Sequence, residues 1–148
     1  MTNKIYRGAQ GLTASLKQSE EIFKLGICAD SSAFYWNYIE VEKSGYWRLE
    51  YGSNEHPKSI PAYSLEELHI IAYDCISGWC SNTFYATIDE YHSYAIDILD
   101  KLADAEVSTY YEGDTQAEAM ADLTIILLRN KLVNAENANE NLKRRKVI

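Results

Sequence analysis

The sequence has few prolines and glycines, which interrupt regular secondary structure, and few cysteines, which can cross-link a chain. Its 148 residues include two prolines and seven glycines, and this scarcity argues against a long disordered linker. The three cysteines, Cys28, Cys75 and Cys80, are odd in number and follow no secretory segment, so we expect reduced thiols in a cytoplasmic protein. A chain of this length usually forms one domain that folds without disulfides or metals.

Long apolar segments are also missing. The aliphatic run Ile125–Leu128 is far shorter than the roughly 18 apolar residues of a membrane helix. The N-terminal residues MTNKIYRGAQG contain no apolar stretch of the kind found in a signal peptide. We therefore expect a protein that neither spans nor enters a membrane.

Basic residues are in the minority, and the chain has a net charge of −8. The residues from Ala135 onward contribute +2, which leaves −10 for the rest. A body this acidic repels phosphate backbones, so we expect no nucleic-acid partner. The basic run Lys143–Lys146 could meet phosphate or an acidic partner, but a short terminal run is more typical of a helix C-terminus or of pairing with the acidic body.

Signatures of nucleotide and catalytic sites are absent from the sequence. No GxxxxGK, GxGxxG or GxSxG motif occurs, which argues against a phosphate loop and a nucleophile elbow. Cys75 and Cys80 could form a zinc site with His69 and His92, but His69 and Cys75 would not share a helix face. Clustered carboxylates are more typical of solvated helix faces than of acid–base pairs. We assign no catalytic residue, no metal and no cofactor.

Three segments begin with Ser or Thr and have Glu or Gln three residues later, which is the capping box that starts a helix. The pairs are Ser15 with Gln18, Ser64 with Glu67, and Thr115 with Glu118. They predict helices over residues 15–25, 64–76 and 115–133. In the last of these, apolar residues cover more than one face, so we expect this helix to be deeply buried in the core.

The best functional lead is an aromatic hairpin. β-prone residues lie on both sides of the turn residues Lys43-Ser44-Gly45, which predicts two antiparallel strands. Tyr and Trp are common anchors of protein interfaces, although they also pack against each other across strands. The candidate binding residues on this hairpin are Trp36, Tyr38, Tyr46, Trp47 and Tyr51.

These elements predict an α+β fold in one domain, with a small antiparallel sheet packed by about three helices. Further strands are predicted at 83–88 and 107–111, while the pattern over 89–104 fits either a helix or a strand. We place a flexible N-terminus at 1–12, the domain at 13–133, and a polar tail, helical or disordered, at 134–148.

Three segments resemble small uncharacterised proteins that phage-like and mobile elements of gut anaerobic bacteria encode. The segments are LKQSEEIFKLGICADSSAFYW, IPAYSLEEL and GDTQAEAMADLTIILLRNKL. The resemblance implies no known activity, and it favours a strand near Tyr94. The chain departs from the family pattern at Ser31-Ser32-Ala33, where Thr-Ala-Asp is usual.

Two functions from different classes are consistent with the sequence. The favoured one is a non-enzymatic protein-interaction module that uses the aromatic hairpin to bind a protein partner or a second copy of itself. The alternative is a small hydrolase or small-molecule-binding protein that uses His69 or His92 with nearby carboxylates, which requires a concave pocket.

Overall fold

The computed structural model of the chain describes residues 6–8, 12–28, 32–52, 58–72, 76–77, 84–88 and 110–146. These residues form helices and antiparallel sheets, which confirms the predicted α+β class. The segment 89–104, with its two alternative predictions, lies outside the described residues.

Ten elements follow one another along the described chain. They are α1 (Leu16–Lys24), β1 (Phe34–Val41), β2 (Ser44–Tyr51), β3 (Ser59–Ala62), α2 (Leu65–Ala72), β4 (Ile76–Ser77), β5 (Phe84–Ile88), β6 (Tyr110–Gly113), α3 (Gln116–Arg129) and α4 (Ala135–Lys146). The strands form two antiparallel sheets, with the orders β2-β1-β3 and β4-β5-β6.

The predicted capping boxes start the predicted helices. The Ser15 hydroxyl accepts from the Gln18 backbone N–H, and the Gln18 side chain accepts from the Ser15 N–H at 3.0 Å. Ser64 and Glu67 form the same reciprocal pair at the start of α2. Thr115 forms half of a box, because its hydroxyl accepts from the Glu118 N–H but donates to the Glu118 carboxylate at 3.3 Å.

Two predicted helix ends are wrong. Residues up to 76 were assigned to the second helix, but Ile76 pairs with Ile88 in the sheet. The last predicted helix was extended to 133, but α3 ends at Arg129 because Lys131 adopts a left-handed φ of 57°. The N–H groups of Leu132 and Val133 turn back onto the Leu127 carbonyl, at 2.9 and 3.2 Å, as at many helix C-termini.

The hairpin turn lies one residue earlier than predicted. Val41 pairs with Ser44, so Glu42 and Lys43 form a two-residue turn. Glu42 has a φ of 51°, a left-handed angle of the kind that tight hairpin turns require. Ser44 and Gly45, which were predicted to be turn residues, therefore belong to strand β2.

The described residues form two clusters of buried side chains, and helix α3 lies at the centre of the larger one, as its sequence predicts. Most of its residues are buried, and it packs against α1, α2, β5 and β6.

The tail predicted at 134–148 contains helix α4, whose Ala138 and Leu142 belong to the same core. Asn139 ties α4 to the chain after α1, since it accepts from the Cys28 N–H at 2.7 Å and donates to the Gly26 carbonyl at 2.9 Å.

In the described ranges, the helices are too short or too polar to cross a membrane.

Replacing Leu123 with Ala is expected to lower the free energy of unfolding by about 2–5 kcal/mol, because a fully buried side chain leaves a cavity. Leu123 has an exposure of 0%. The matched change Leu12→Ala removes the same atoms at a site that is 52% exposed, and we expect a loss of no more than about 1 kcal/mol there. Urea unfolding measures both changes. Equal losses would contradict the placement of α3 at the centre.

Candidate functional site

Strand pairing brings four of the five candidate residues to one face of the sheet. Phe34 pairs with Tyr51, and Tyr38 pairs with Trp47. Since side chains alternate between faces along a strand, these residues share a face with Trp36. We call Phe34, Trp36, Tyr38, Trp47 and Tyr51 the aromatic face. The fifth candidate, Tyr46, pairs with Ile39 on the opposite side of the sheet.

The centre of the aromatic face is covered. Trp36 is 3% exposed and packs with Leu16 and Ala62. The Tyr6 ring meets it edge-on, with centroids 6.1 Å apart and an interplanar angle of 78°. Trp36 is therefore a core residue here, although the sequence placed it among the binding candidates.

The rings on either side of Trp36 are only partly covered, and they contact one another in pairs. Tyr38 and Trp47 meet at 5.3 Å and 62°, and Lys58 Nζ lies 5.0 Å from the centroid of the Tyr38 ring. The Tyr38 ring lies over Gly45, where an added Cβ would come within 2.4 Å of the ring. Tyr51, 78% exposed, stacks edge-on against Phe34 at 5.3 Å. The rings are therefore held in place while part of their surface remains accessible.

The opposite side of the sheet carries a polar network that sequence reasoning missed. Asn37 is fully buried, and its amide donates to Glu50 Oε1 at 2.8 Å. The Ser59 hydroxyl donates to Asn37 Oδ1 at 2.6 Å, and Arg48 binds the other Glu50 oxygen at 3.0 Å. A single polar residue between Trp36 and Tyr38 was the available signal. The network joins all three strands, so it fixes the sheet that carries the aromatic face.

The structure describes only one of the two histidines of the alternative function. His69 is half-buried on α2, whereas His92, Cys75 and Cys80 lie outside the described residues. Cys28 is half-buried and forms no disulfide among the described residues. Over the ranges that the structure describes, no group of three or more His, Cys, Asp or Glu side chains is placed to hold a metal ion.

One open groove, of about 410 Å³, lies between the N-terminal segment and α1. It is lined by Tyr6, Arg7, Ser15, Leu16, Lys17, Glu20 and Glu118. Arg7 already forms an ion pair with Asp114 and lies 3.8 Å from Glu118. Arg7 is therefore already paired with carboxylates, which argues against a ligand pocket with unpaired polar groups around an empty centre.

Two carboxylates, of which one is buried and one half-buried, have structural roles. Burial raises the pKa of Glu67, and the Ser64 backbone and hydroxyl oppose part of this shift by hydrogen bonding. Burial also raises the pKa of Asp122, and the Gln18 amide, which donates to it at 2.7 Å, opposes the shift. Glu67 completes the α2 cap, and Asp122 joins α3 to α1. These contacts account for both carboxylates without a catalytic role.

Comparison of the chain with protein-family models, curated proteins and solved structures found no significant match. Function must therefore be inferred from the side chains themselves. Among the described clusters, the aromatic face combines one exposed ring, that of Tyr51, with half-buried rings of fixed geometry, which is a combination that binding surfaces use.

The raised pKa of Glu67 predicts a specific pH dependence of stability. Above the ordinary carboxyl pKa of about 4.3, folded Glu67 keeps a proton that the unfolded chain has released. Stability therefore falls as the pH rises from that value through the raised pKa. In Glu67→Gln the amide oxygen can still accept from Ser64, so we expect a smaller fall between about pH 4 and pH 8. Urea unfolding at a series of pH values measures this.

Glu140→Gln is the matched control, because it removes one carboxylate from an exposed site. We expect it to keep the pH dependence of the wild type. A Glu67→Gln protein with the same pH dependence as the wild type would show that Glu67 is not the titrating group.

Proposed function

We propose that this protein is a non-enzymatic interaction module that binds a protein partner through the accessible rings of the aromatic face. The observation that carries the proposal is the exposure of Tyr51, which is 78%, next to rings that contact one another. An exposed large aromatic side chain gains about 1.5–3 kcal/mol or more when a partner buries it. Rings that are already ordered lose little conformational entropy on binding.

The chemistry of this surface suits a basic segment of the partner. Trp47 and Tyr51 offer ring faces on which an Arg or Lys side chain can stack. Glu40 lies on the same side of the sheet, opposite Gly45, and is exposed. The net charge of −8 attracts such a segment over longer distances and increases its association rate.

The setting of this function is also a proposal. The resemblance to proteins of phage-like elements suggests a role in the cytoplasm of a bacterium that carries such an element. The odd number of cysteines fits a reducing compartment. No observation on the described residues favours the alternative, a hydrolase or small-molecule binder that uses His69 or His92.

The double substitution Trp47→Ala and Tyr51→Ala is expected to weaken partner binding by about tenfold to a hundredfold, the range for the loss of interface anchors. Wild-type protein immobilised as bait in a lysate of the native host captures the partner. Calorimetry with the purified partner then measures the dissociation constants. Circular dichroism and urea unfolding show whether the double variant remains folded.

Tyr46→Ala is the matched control, because it removes a Tyr from the same hairpin but on the opposite side of the sheet. We expect it to bind within about twofold of the wild type. Retention of binding by the folded double variant, or an equal loss in Tyr46→Ala, would refute the assignment of the aromatic face.

A further inference from the structure

The direction of the backbone hydrogen bonds shows what the outer edge of β2 offers. The Gly52 N–H donates to the Ala33 carbonyl at 2.6 Å, so these two residues form a hydrogen-bonded pair. Such pairs alternate along an antiparallel ladder. The even-numbered residues of β2 therefore bind β1. The N–H and C=O groups that point away from β1 belong to Gly45, Trp47, Leu49 and Tyr51.

The strand β2 is long and contains no proline, unlike β3 at the other edge of the sheet. All eight residues of β2 pair one-to-one with β1, without a bulge and without proline. On the other side, β3 has four residues, one of which is Pro61. The Tyr38 N–H donates to the Lys58 carbonyl, so the ring nitrogen of Pro61 faces outward, where it blocks a further strand. In the described part of the chain, no strand pairs with the outer side of β2.

We propose that the outer edge of β2 binds β2 of a second copy of this chain, antiparallel, with the two-fold axis at Leu49. The three-stranded sheets of the two copies then form one continuous sheet. The proposal stands on the backbone of the edge and on its charges, so it does not require the proposed function, although both involve Trp47 and Tyr51.

Charge complementarity selects the second copy as the occupant. With the axis at Leu49, Arg48 lies opposite Glu50 of the second copy, and Glu50 lies opposite its Arg48. On the other side of the sheet, Trp47 lies opposite Tyr51. Opposite charges and aromatic pairs that face each other across strands stabilise a sheet. Within one chain Arg48 and Glu50 are already 3.0 Å apart, so the dimer contains four charges of alternating sign.

Neighbouring registers lack this match. If the axis lies at Arg48, two Arg48 side chains face each other, and like charges directly opposite are destabilising. If the axis lies at Trp47, Arg48 faces Tyr46 and Glu50 faces Ser44, so the ion pairs are lost. The sequence of β2 therefore specifies one register as well as one partner.

The first test distinguishes edge pairing from side-chain contact. Sedimentation velocity over a dilution series is expected to show a monomer–dimer equilibrium for the wild type. Tyr51→Pro removes an outward N–H without removing a bond to β1, and we expect a loss of about tenfold or more in self-association. Tyr51→Ala keeps that N–H and is expected to lose less. Equal losses in the two variants would favour a face-to-face contact and overturn edge pairing.

The second test concerns the register and uses two chains. Arg48→Glu alone and Glu50→Arg alone place like charges opposite each other, so each is expected to be monomeric. A mixture of the two restores opposite charges at every position and is expected to form a heterodimer. Because Glu50→Arg also removes the acceptor of buried Asn37, circular dichroism must first show that this chain folds.

A cysteine pair tests the same register without changing a charge. Leu49→Cys is expected to form a disulfide between copies on mild oxidation, since directly opposite residues have Cα atoms about 5.5 Å apart. Tyr51→Cys faces residue 47 of the second copy and is expected not to cross-link with itself. Mass spectrometry of the linked peptides identifies the pair, and cross-linking at 51 instead of 49 would refute the register.

A wild type that stays monomeric at every concentration would overturn the proposal. In that case, loss of partner binding in the Trp47→Ala and Tyr51→Ala variant would still support the proposed function. If the double variant still forms the dimer and still binds the partner as the wild type does, edge pairing is supported and the proposed function is refuted.

Discussion

The burial of α3 is the constraint on which the described architecture depends. Its apolar residues occupy more than one side of the helix, so a single neighbour could not remove them from water. The chain encloses α3 with α1, α2, β5 and β6. The larger core includes Ala14 before α1 and also Ala138 and Leu142 of α4, so residues from near both ends of the described chain contribute to it. Loss of this burial would remove the support of the elements that pack against α3.

The aromatic hairpin lies outside this enclosure and has a small cluster of its own. Leu16, Trp36 and Ala62 are buried together, apart from the core around α3. Leu16 begins α1, and α1 packs against both α3 and β3, so this helix connects the two clusters. Coverage of the hairpin at Trp36 leaves the rings on either side of it partly accessible. Exposure of Tyr51 is thus a consequence of where α1 and Tyr6 lie on the sheet.

What the sequence could predict was local. The caps at Ser15 and Ser64 depend on contacts between residues three apart, and they were read correctly from spacing. The end of α3 depends on how Leu132 and Val133 fold back on Leu127, which propensity does not encode. Closure over Trp36 depends on Tyr6, thirty residues away in sequence. Asn37 binds Glu50 and Ser59, which are also distant from it in the sequence. No periodic pattern contains such contacts, so the covered and the accessible rings of the aromatic face could not be distinguished in advance.

Charges on an edge strand can either oppose pairing or select for it. A lone charge opposes most incoming strands, because it would have to pair with an uncharged or like-charged residue. Two opposite charges two residues apart on one side of a strand are self-complementary about the residue between them. In β2 these are Arg48 and Glu50, and the buried Asn37 amide holds Glu50 in place. The edge therefore discriminates against unrelated strands while it remains compatible with its own copy, which is how one surface can combine solubility with specific association.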